Sequence, residues 1–264
     1  MRIISLLLIA IALLYAEIKV QKIKTKKLDE ASGLLVSKKY PDVIWSHNDS
    51  GDKPRLYALD AKTLKLIKKI KVKKANHIDW EDMTYHRGNI VIGDFGNNKN
   101  KRDDLTLYTI EEPNPYKDKK VKIIAKQKFI FSDQKKSRLK RKNFDCEAMF
   151  SFNNELFLLT KHRADSNTTL YQLKGDLAQK LLQYSLDDRV TSADSDGKKL
   201  VILTRRSLYL LEPRVEDAII FDVPMKRIEL DDAGQIEGVA LDGERVHVVS
   251  EEGNLYTLHV KDFK

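Results

Sequence analysis

The sequence predicts an all-β fold, a β-propeller of five four-stranded blades, or six if two copies have been merged. Three observations predict it. One phrase recurs five times along the 264 residues: a short motif opening a strand, a hydrophobic strand, a polar turn, and another strand. Successive copies begin roughly 45 to 65 residues apart, near the period of propeller blades. The last copy runs out of chain before its fourth strand, and Ile18 to Ile23 near the N-terminus can supply one. That would close the ring and remove its open edges.

Taken in order, the first copy is Ala31-Ser32-Gly33-Leu34, Val43-Ile44-Trp45, the turn Ser46 to Asp52, and Leu56-Tyr57-Ala58-Leu59. The second opens with Asp79-Trp80-Glu81-Asp82 and continues through Ile90-Val91-Ile92, the turn Asp94 to Asn98, and Leu105 to Ile110. The third runs from Glu147-Ala148-Met149 through Leu156 to Leu159 and the turn Lys161-His162-Arg163 to Leu170 to Leu173. The fourth is Thr191 to Ala193, Val201-Ile202-Leu203, Arg205-Arg206, and Leu208-Tyr209-Leu210. The fifth is Glu237 to Ala240, Val246 to Val249, Ser250 to Asn254, and Leu255 to Leu258. Fourth strands are expected at Leu64 to Val72, Val121 to Phe131, Gln179 to Leu186 and Ala218 to Val223. Tight turns separate the first two strands at Arg87-Gly88, Asn153-Asn154, Asp196-Gly197 and Asp242-Gly243, residues that tolerate positive φ. The last two fit hairpins. Asp194-Ser195-Asp196-Gly197 lacks the spacing and terminal Glu of a calcium loop.

Residues 1–16 stand apart. Met1-Arg2 is a basic start, Ile3 to Leu14 is apolar apart from Ser5, and Ala16 precedes the polar Glu17. This reads as a secretory signal cleaved after Ala16, leaving a single domain over 17–264 and a periplasmic or secreted protein, or as an uncleaved anchor, because Leu14 is large for the third position before the cut. The apolar run is too short to span a bilayer, so no stable membrane span is expected after cleavage. Cys146 is the sole cysteine and forms no internal disulfide. Its acidic neighbours Asp145 and Glu147 suppress thiolate chemistry, and a half-buried packing role is expected. The net charge is +9, from 48 basic and 39 acidic residues. Much of it is lysine on strands, such as Lys68, Lys69, Lys71, Lys73 and Lys74, which reads as the solvated outer face of a blade. The chain shows no aromatic-plus-basic nucleic-acid pattern. The expected partners are a small-molecule or anionic polymer ligand or an envelope protein, bound by a monomer.

In a meander ring, the links into the inner strands and the turns between second and third strands share one face. That face collects the unusual residues. Glu30, Asp79, Glu81, Asp145, Glu147 and Glu237 begin the inner strands and are candidate metal ligands. Asp49, Asn97 and Asn98 add oxygens, and Lys161, His162, Arg163 and Arg205 add positive charge as candidate ligand-binding residues. Like charges held together cannot all ionise cheaply. Either protons, ion pairs or backbone N–H groups take them up, pinning the blades, or a hard cation such as Ca2+ sits among oxygen ligands. The basic link Lys135 to Lys142 lies on this face too. It reads as a solvated loop, or as part of a site that faces a cation with an anion. His47 and Asp94 are the candidate general bases, and His77 precedes the acidic motif. Trp45 and Trp80 are expected to wedge between blades. No nucleophile elbow, zinc-protease motif, phosphate-binding loop or C-x-x-C pair is present.

The motifs S-H-N-D-S-G-D at 46–52, D-W-E-D-M at 79–83, G-D-F-G-N-N at 93–98, E-A-M at 147–149 and E-G-V-A-L at 237–241 carry a resemblance. The chain resembles exported bacterial propellers of the SdiA-regulated-like and phytase-esterase-like type, and is distantly similar to the gluconolactonase and strictosidine-synthase-like group. Enzymes among such propellers hold calcium at the channel mouth and usually have six blades. The resemblance implies a calcium-binding mouth and metal-assisted hydrolysis of a phosphoester or lactone. The competing expectation is a non-catalytic scaffold in the envelope. The fourth copy carries Ala193-Asp194 where a Glu would stand.

Overall fold

The computed structural model describes residues 18–134, 143–163, 165, 167–213 and 223–264. The signal expected over 1–16 and the basic link at 135–142 lie outside them. Among the described residues, no helix is long and apolar enough to cross a membrane.

The chain opens with β1 (Lys19–Lys22). Blade one is β2 (Ala31–Val36), β3 (Val43–Asn48), β4 (Arg55–Asp60) and β5 (Leu66–Lys73). Blade two is β6 (Trp80–His86), β7 (Asn89–Asp94), β8 (Thr106–Ile110) and β9 (Lys120–Lys128). After β10 (Ile130–Phe131), blade three is β11 (Asp145–Phe152), β12 (Glu155–Lys161), β13 (Asn167–Lys174) and β14 (Leu177–Ser185). Blade four is β15 (Val190–Ser195), β16 (Leu200–Thr204), β17 (Ser207–Leu211) and β18 (Lys226–Glu229). Blade five is β19 (Ile236–Asp242), β20 (Arg245–Ser250) and β21 (Asn254–His259), completed by β1, which pairs antiparallel with β21. The inner strands pack in a cycle: β2 on β6, β6 on β11, β11 on β15, β15 on β19, and β19 on β2. The N-terminal strand therefore closes the ring, as expected.

Two fourth strands differ from expectation. The stretch Val121 to Phe131 is broken: β9 ends at Lys128, and β10 pairs parallel with β14 of blade three. Phe129 and Phe131 are buried against Phe95, Phe144 and Tyr171, so this short crossing is anchored by aromatic packing between blades. In blade four the outer strand is Lys226–Glu229 rather than Ala218 to Val223, of which 218–222 lie outside the described residues.

Local chemistry explains the elements. Arg87, Gly88, Asn153 and Asn154 all have positive φ at their hairpin tips. Every third strand carries Leu-Tyr; four of the tyrosine hydroxyls tie down the chain entering their blade, and Tyr57 ties down the turn between β3 and β4. Tyr57 and Tyr171 donate to Asp52 (2.7 Å) and Asp133 (3.0 Å), Tyr209 donates to Asp187 (2.9 Å), and Tyr256 donates to the Ala233 carbonyl (3.0 Å). Tyr108 instead accepts the Asn76 N–H (3.1 Å). Trp45 and Trp80 are fully buried in the cluster joining blades one and two, as expected.

All five inner hairpins carry a β-bulge at the same place. The register slips between Ala31 and Leu34, Trp80 and Asp82, Cys146 and Ala148, Val190 and Ser192, and Ile236 and Gly238. The unpaired residues are therefore Glu81, Glu147, Thr191 and Glu237, with Ser32-Gly33 in blade one. A bulge re-aims a side chain and bends its strand. Thr191, not Ala193-Asp194, stands at the glutamate position of the fourth copy.

Asp194 has another task. It is fully buried and accepts the N–H groups of Leu241 (2.9 Å) and Ser195 (2.8 Å), pinning blade four to blade five. Burial pushes its carboxyl up to about 7. A carboxyl whose pKa is raised in the fold binds a proton there that the unfolded chain has already lost. This contribution to stability is therefore lost as pH rises from about 4 to about 7. Urea unfolding of Asp194→Asn should show a shallower stability decline across that window than the parent chain, and an identical slope would refute the assignment.

Candidate functional site

The bulges build the site. The residues after Glu81, Glu147, Thr191 and Glu237 are Asp82, Ala148, Ser192 and Gly238, and Gly33 follows Ser32 in blade one: small in four blades and a carboxylate in one. Asp82 is fully buried. One oxygen accepts the Met83 N–H (2.9 Å) and the Ser192 hydroxyl (3.1 Å), the other the N–H groups of Met149 (2.9 Å) and Ala193 (3.3 Å). Ser192 in turn accepts the Val239 N–H (3.1 Å). One carboxylate thus ties three blades together, and the serine adds a fourth. Burial pushes the Asp82 carboxyl up, against the opposing pull of these four donors. The small neighbours are a steric requirement: a Cβ on Gly238 would lie 2.4 Å from the Ser32 carbonyl oxygen.

The bulged glutamates themselves form the next layer. Glu81 and Glu147 are buried, and Glu237 is half-buried. Burial is the main force pushing Glu81 and Glu147 well above the ordinary glutamate range, and the two repel each other's charge. Burial likewise lifts Glu237 to about 7. Lys161, at the end of β12, lies among them, its Nζ 2.9 Å from Glu147 Oε2. Burial works against its ammonium, but Glu147, Glu237 and Glu81 outweigh it and hold its pKa above the ordinary lysine range. Arg163 reaches the same place, with Nε 2.6 Å from Asp145 Oδ2 and Nη2 3.6 Å from Glu147 Oε1.

A second carboxylate group lies beside this pair. Asp49, Asp79 and Glu81 each offer an oxygen within 4.8 Å of the others, with blade one supplying the first and blade two the rest. Asp79 is pushed up to about 6, chiefly by burial and then by Asp49. Gly96 makes the pocket: a Cβ there would lie 2.0 Å from Glu81 Oε1 and 2.4 Å from Asp79 Oδ2. Three hard oxygen donors converging beside a bare glycine fit a calcium-sized cation, and no soft or nitrogen donor belongs to the set.

Other expected site residues take different places. Asp145 Oδ1 accepts the Asn97 N–H (2.6 Å), while the Asn97 amide donates to Phe144 and its carbonyl accepts from Lys101 and Arg102. Asn97 is therefore occupied in holding the loop. Asn98 and Glu30 are exposed. Asp94 is buried, with Oδ1 shared between the Asp79 N–H (3.0 Å) and Arg102 (3.0 Å), and Oδ2 unpartnered. His47 is fully buried and packs edge-on against Trp80, and burial lowers it to about 3. Its Nε2 faces Gly33, where a Cβ would lie 2.4 Å away. No solvent reaches this ring. His162 turns away from its neighbours: its nitrogens meet Asp165 Oδ1 and Thr169 Oγ1, each at 2.9 Å. Arg205 is exposed and acts on Glu237 by charge. Cys146 is buried, and burial with its acidic neighbours raises the thiol further. The D-W-E-D-M motif displays Asp82, but its bonds to Met149, Ser192 and Ala193 exist only once the blades pack.

The sequence matches no protein-family model and no curated protein. Among solved structures, the chain is similar to the PQQ-bound aldose sugar dehydrogenase from Streptomyces coelicolor, with TM-score 0.56 and 10% identity over 92% of this chain and 98% of that one. The fold is a β-propeller. A further similar structure is virginiamycin B lyase from Staphylococcus aureus, with TM-score 0.43 and 12% identity over 87% of this chain and 66% of that one. At such identities the likeness concerns the fold alone.

Proposed function

We propose that this propeller is exported and binds an anionic ligand at a calcium-holding channel mouth, with Asp49, Asp79 and Glu81 as the cation ligands. The observation that carries the reading is the convergence of three carboxylates beside Gly96, next to a lysine-arginine pair. When bound, a divalent cation would offset the surplus negative charge and polarise a ligand oxygen. Lys161, Arg163 and Arg205 would orient the anionic part of the ligand from the opposite side. Hydrolysis of a phosphoester or lactone is the activity that the resemblance to phytase-like propellers suggests for such a mouth. The scaffold reading has its own support, since Lys161 and Arg163 already neutralise Glu147 and Asp145.

A thermal melt of chelator-stripped protein titrated with calcium tests the reading. At a hundredfold excess over Kd, a fold-specific cation adds about 2.7 kcal/mol. For a chain this size that raises the midpoint by roughly 5–10 °C. Glu81→Gln and Gly96→Ala should each abolish the rise. No shift with calcium or other divalents would leave the carboxylates as blade pins and remove the proposal. Phosphoester and lactone turnover in the calcium-loaded protein, lost in Glu81→Gln, would separate the enzyme from the scaffold.

A further inference from the structure

The lysine-rich outer strand β5 does not behave as a solvated edge. Lysine on an outer strand ordinarily guards unpaired backbone groups against other chains. Here β5 is paired: Lys71, Val72 and Lys73 run parallel to Lys120, Val121 and Lys122 of β9, joining blade one to blade two. The pairing sets Lys71 directly beside Lys120, and Lys73 beside Lys122. On the other side of β5, Lys71 is the register partner of Arg55. One row across three strands is thus Arg55, Lys71 and Lys120, all cations. Like charges directly opposite destabilise a sheet. The seam carries that cost where no edge needs protecting.

Two cavities flank this row and share Arg55 and Lys69. The first, ≈ 470 Å³, also draws on Lys26 and Lys27, and the second, ≈ 380 Å³, on Lys53, Lys71, Lys74 and Lys119. No carboxylate lines the second cavity, and among the described residues no ion pair occupies Lys71, Lys74 or Lys119. Asp29, Glu30 and Asp52 also line the first. Arg55, Tyr57 and Asn48 take up Asp52, and Asn48 donates to Asp29 as well, so the second cavity is the more cationic of the two. Arg55 keeps a buried Nε–H with no partner, a donor suited to an oxyanion. Burial, then the charges of Lys27 and Arg55, depress the Lys69 ammonium, and the opposing charge of Asp52 does not outweigh them.

We propose that the seam between blades one and two is a groove for a linear oligoanion, whose successive phosphate or carboxylate groups seat in the two joined cavities. Two adjoining concavities suit a chain of anionic groups better than a flat lipid surface. The second cavity uses none of the channel-mouth residues, while the first borders the turn that carries Asp49 and includes Glu30.

Fluorescence anisotropy with labelled linear polyphosphate and with oligogalacturonate tests the proposal and tells the two sources of negative charge apart. Orthophosphate, phosphatidylglycerol vesicles and a single-stranded oligonucleotide are the competitors. At least one linear oligoanion should bind, displaced only weakly by orthophosphate, with affinity falling steeply as salt rises. Lys71→Gln combined with Lys120→Gln should weaken binding by about tenfold or more. The same variant should raise the thermal midpoint by about 1–2 °C, because it removes a like-charge pair. Lys174→Gln combined with Lys261→Gln, exposed residues elsewhere carrying the same charge change, should bind as the parent does. Unchanged binding in the first variant, equal loss in the second, or tighter binding to vesicles or oligonucleotide than to either oligoanion would overturn the proposal.

Discussion

Asp82→Ala lowers the thermal midpoint by roughly 6–20 °C, the expected result of removing the carboxylate that ties three blades together. The substitution leaves three backbone N–H groups and a serine hydroxyl facing a space that water enters poorly. Each buried donor without a partner costs about 1–3 kcal/mol, and partial relaxation brings the sum to about 3–5 kcal/mol. For a chain of this length, each kcal/mol is worth about 2–4 °C. Asp82→Asn distinguishes hydrogen bonding from simple space filling. Its carbonyl keeps one acceptor, but its amide turns donors toward N–H donors. It should fall near the alanine variant despite its nearly identical volume. An asparagine variant as stable as the parent, measured by thermal and urea unfolding, would show that Asp82 only fills the channel.

Lys161→Met should destabilise the chain by about 3–5 kcal/mol at neutral pH, because breaking a buried pair leaves its partner only the longer 3.6 Å contact to Arg163. Here the partner is Glu147, with Glu237 and Glu81 close enough to feel the same charge. The cost resides in the abandoned carboxylate rather than in the lysine. Adding Glu147→Gln to Lys161→Met should therefore recover much of the loss, a coupling that a double-mutant cycle in urea measures directly. Additive losses would mean that Lys161 stabilises the mouth through its aliphatic stem. The result also bears on the cation. If calcium holds the neighbouring carboxylates, it should raise the midpoint of Lys161→Met by more than that of the parent, since less positive charge then competes for them.

Much of this was visible in the chain. Period-two hydrophobic runs and residues that accept positive φ are local properties, so the strands and hairpin tips could be read from neighbouring residues alone. The repeat and the missing fourth strand of the last blade announced a ring closed by Ile18 to Ile23. Even the acidic face followed, because meander geometry puts Asp49, Asp79, Glu81, Asp145, Glu147 and Glu237 at one end. The break between Lys128 and Ile130 was hidden, since Val121 to Phe131 is one unbroken strand-like pattern. It is resolved only by Phe129 and Phe131 burying themselves against another blade.

Composition and repeat determined by themselves that this protein is a propeller with a carboxylate-rich face. Tertiary structure alone decided which of those groups meet. A bulge of one residue, shared by five hairpins, aims Glu81, Glu147 and Glu237 and leaves Thr191 in the fourth place, and no local pattern marks it. Closing the ring puts Asp82 against Met149, Ser192 and Ala193 of the next two blades, brings Lys161 among the glutamates, shuts His47 away behind Gly33 and sets Lys71 beside Lys120. Of these contacts, Asp82 with Ser192 and Lys71 with Lys120 join different blades, and their spacing depends on how the blades pack. A side chain's charge is inscribed in the sequence, but whether that charge faces water, a partner or a like charge is settled only when the ring closes.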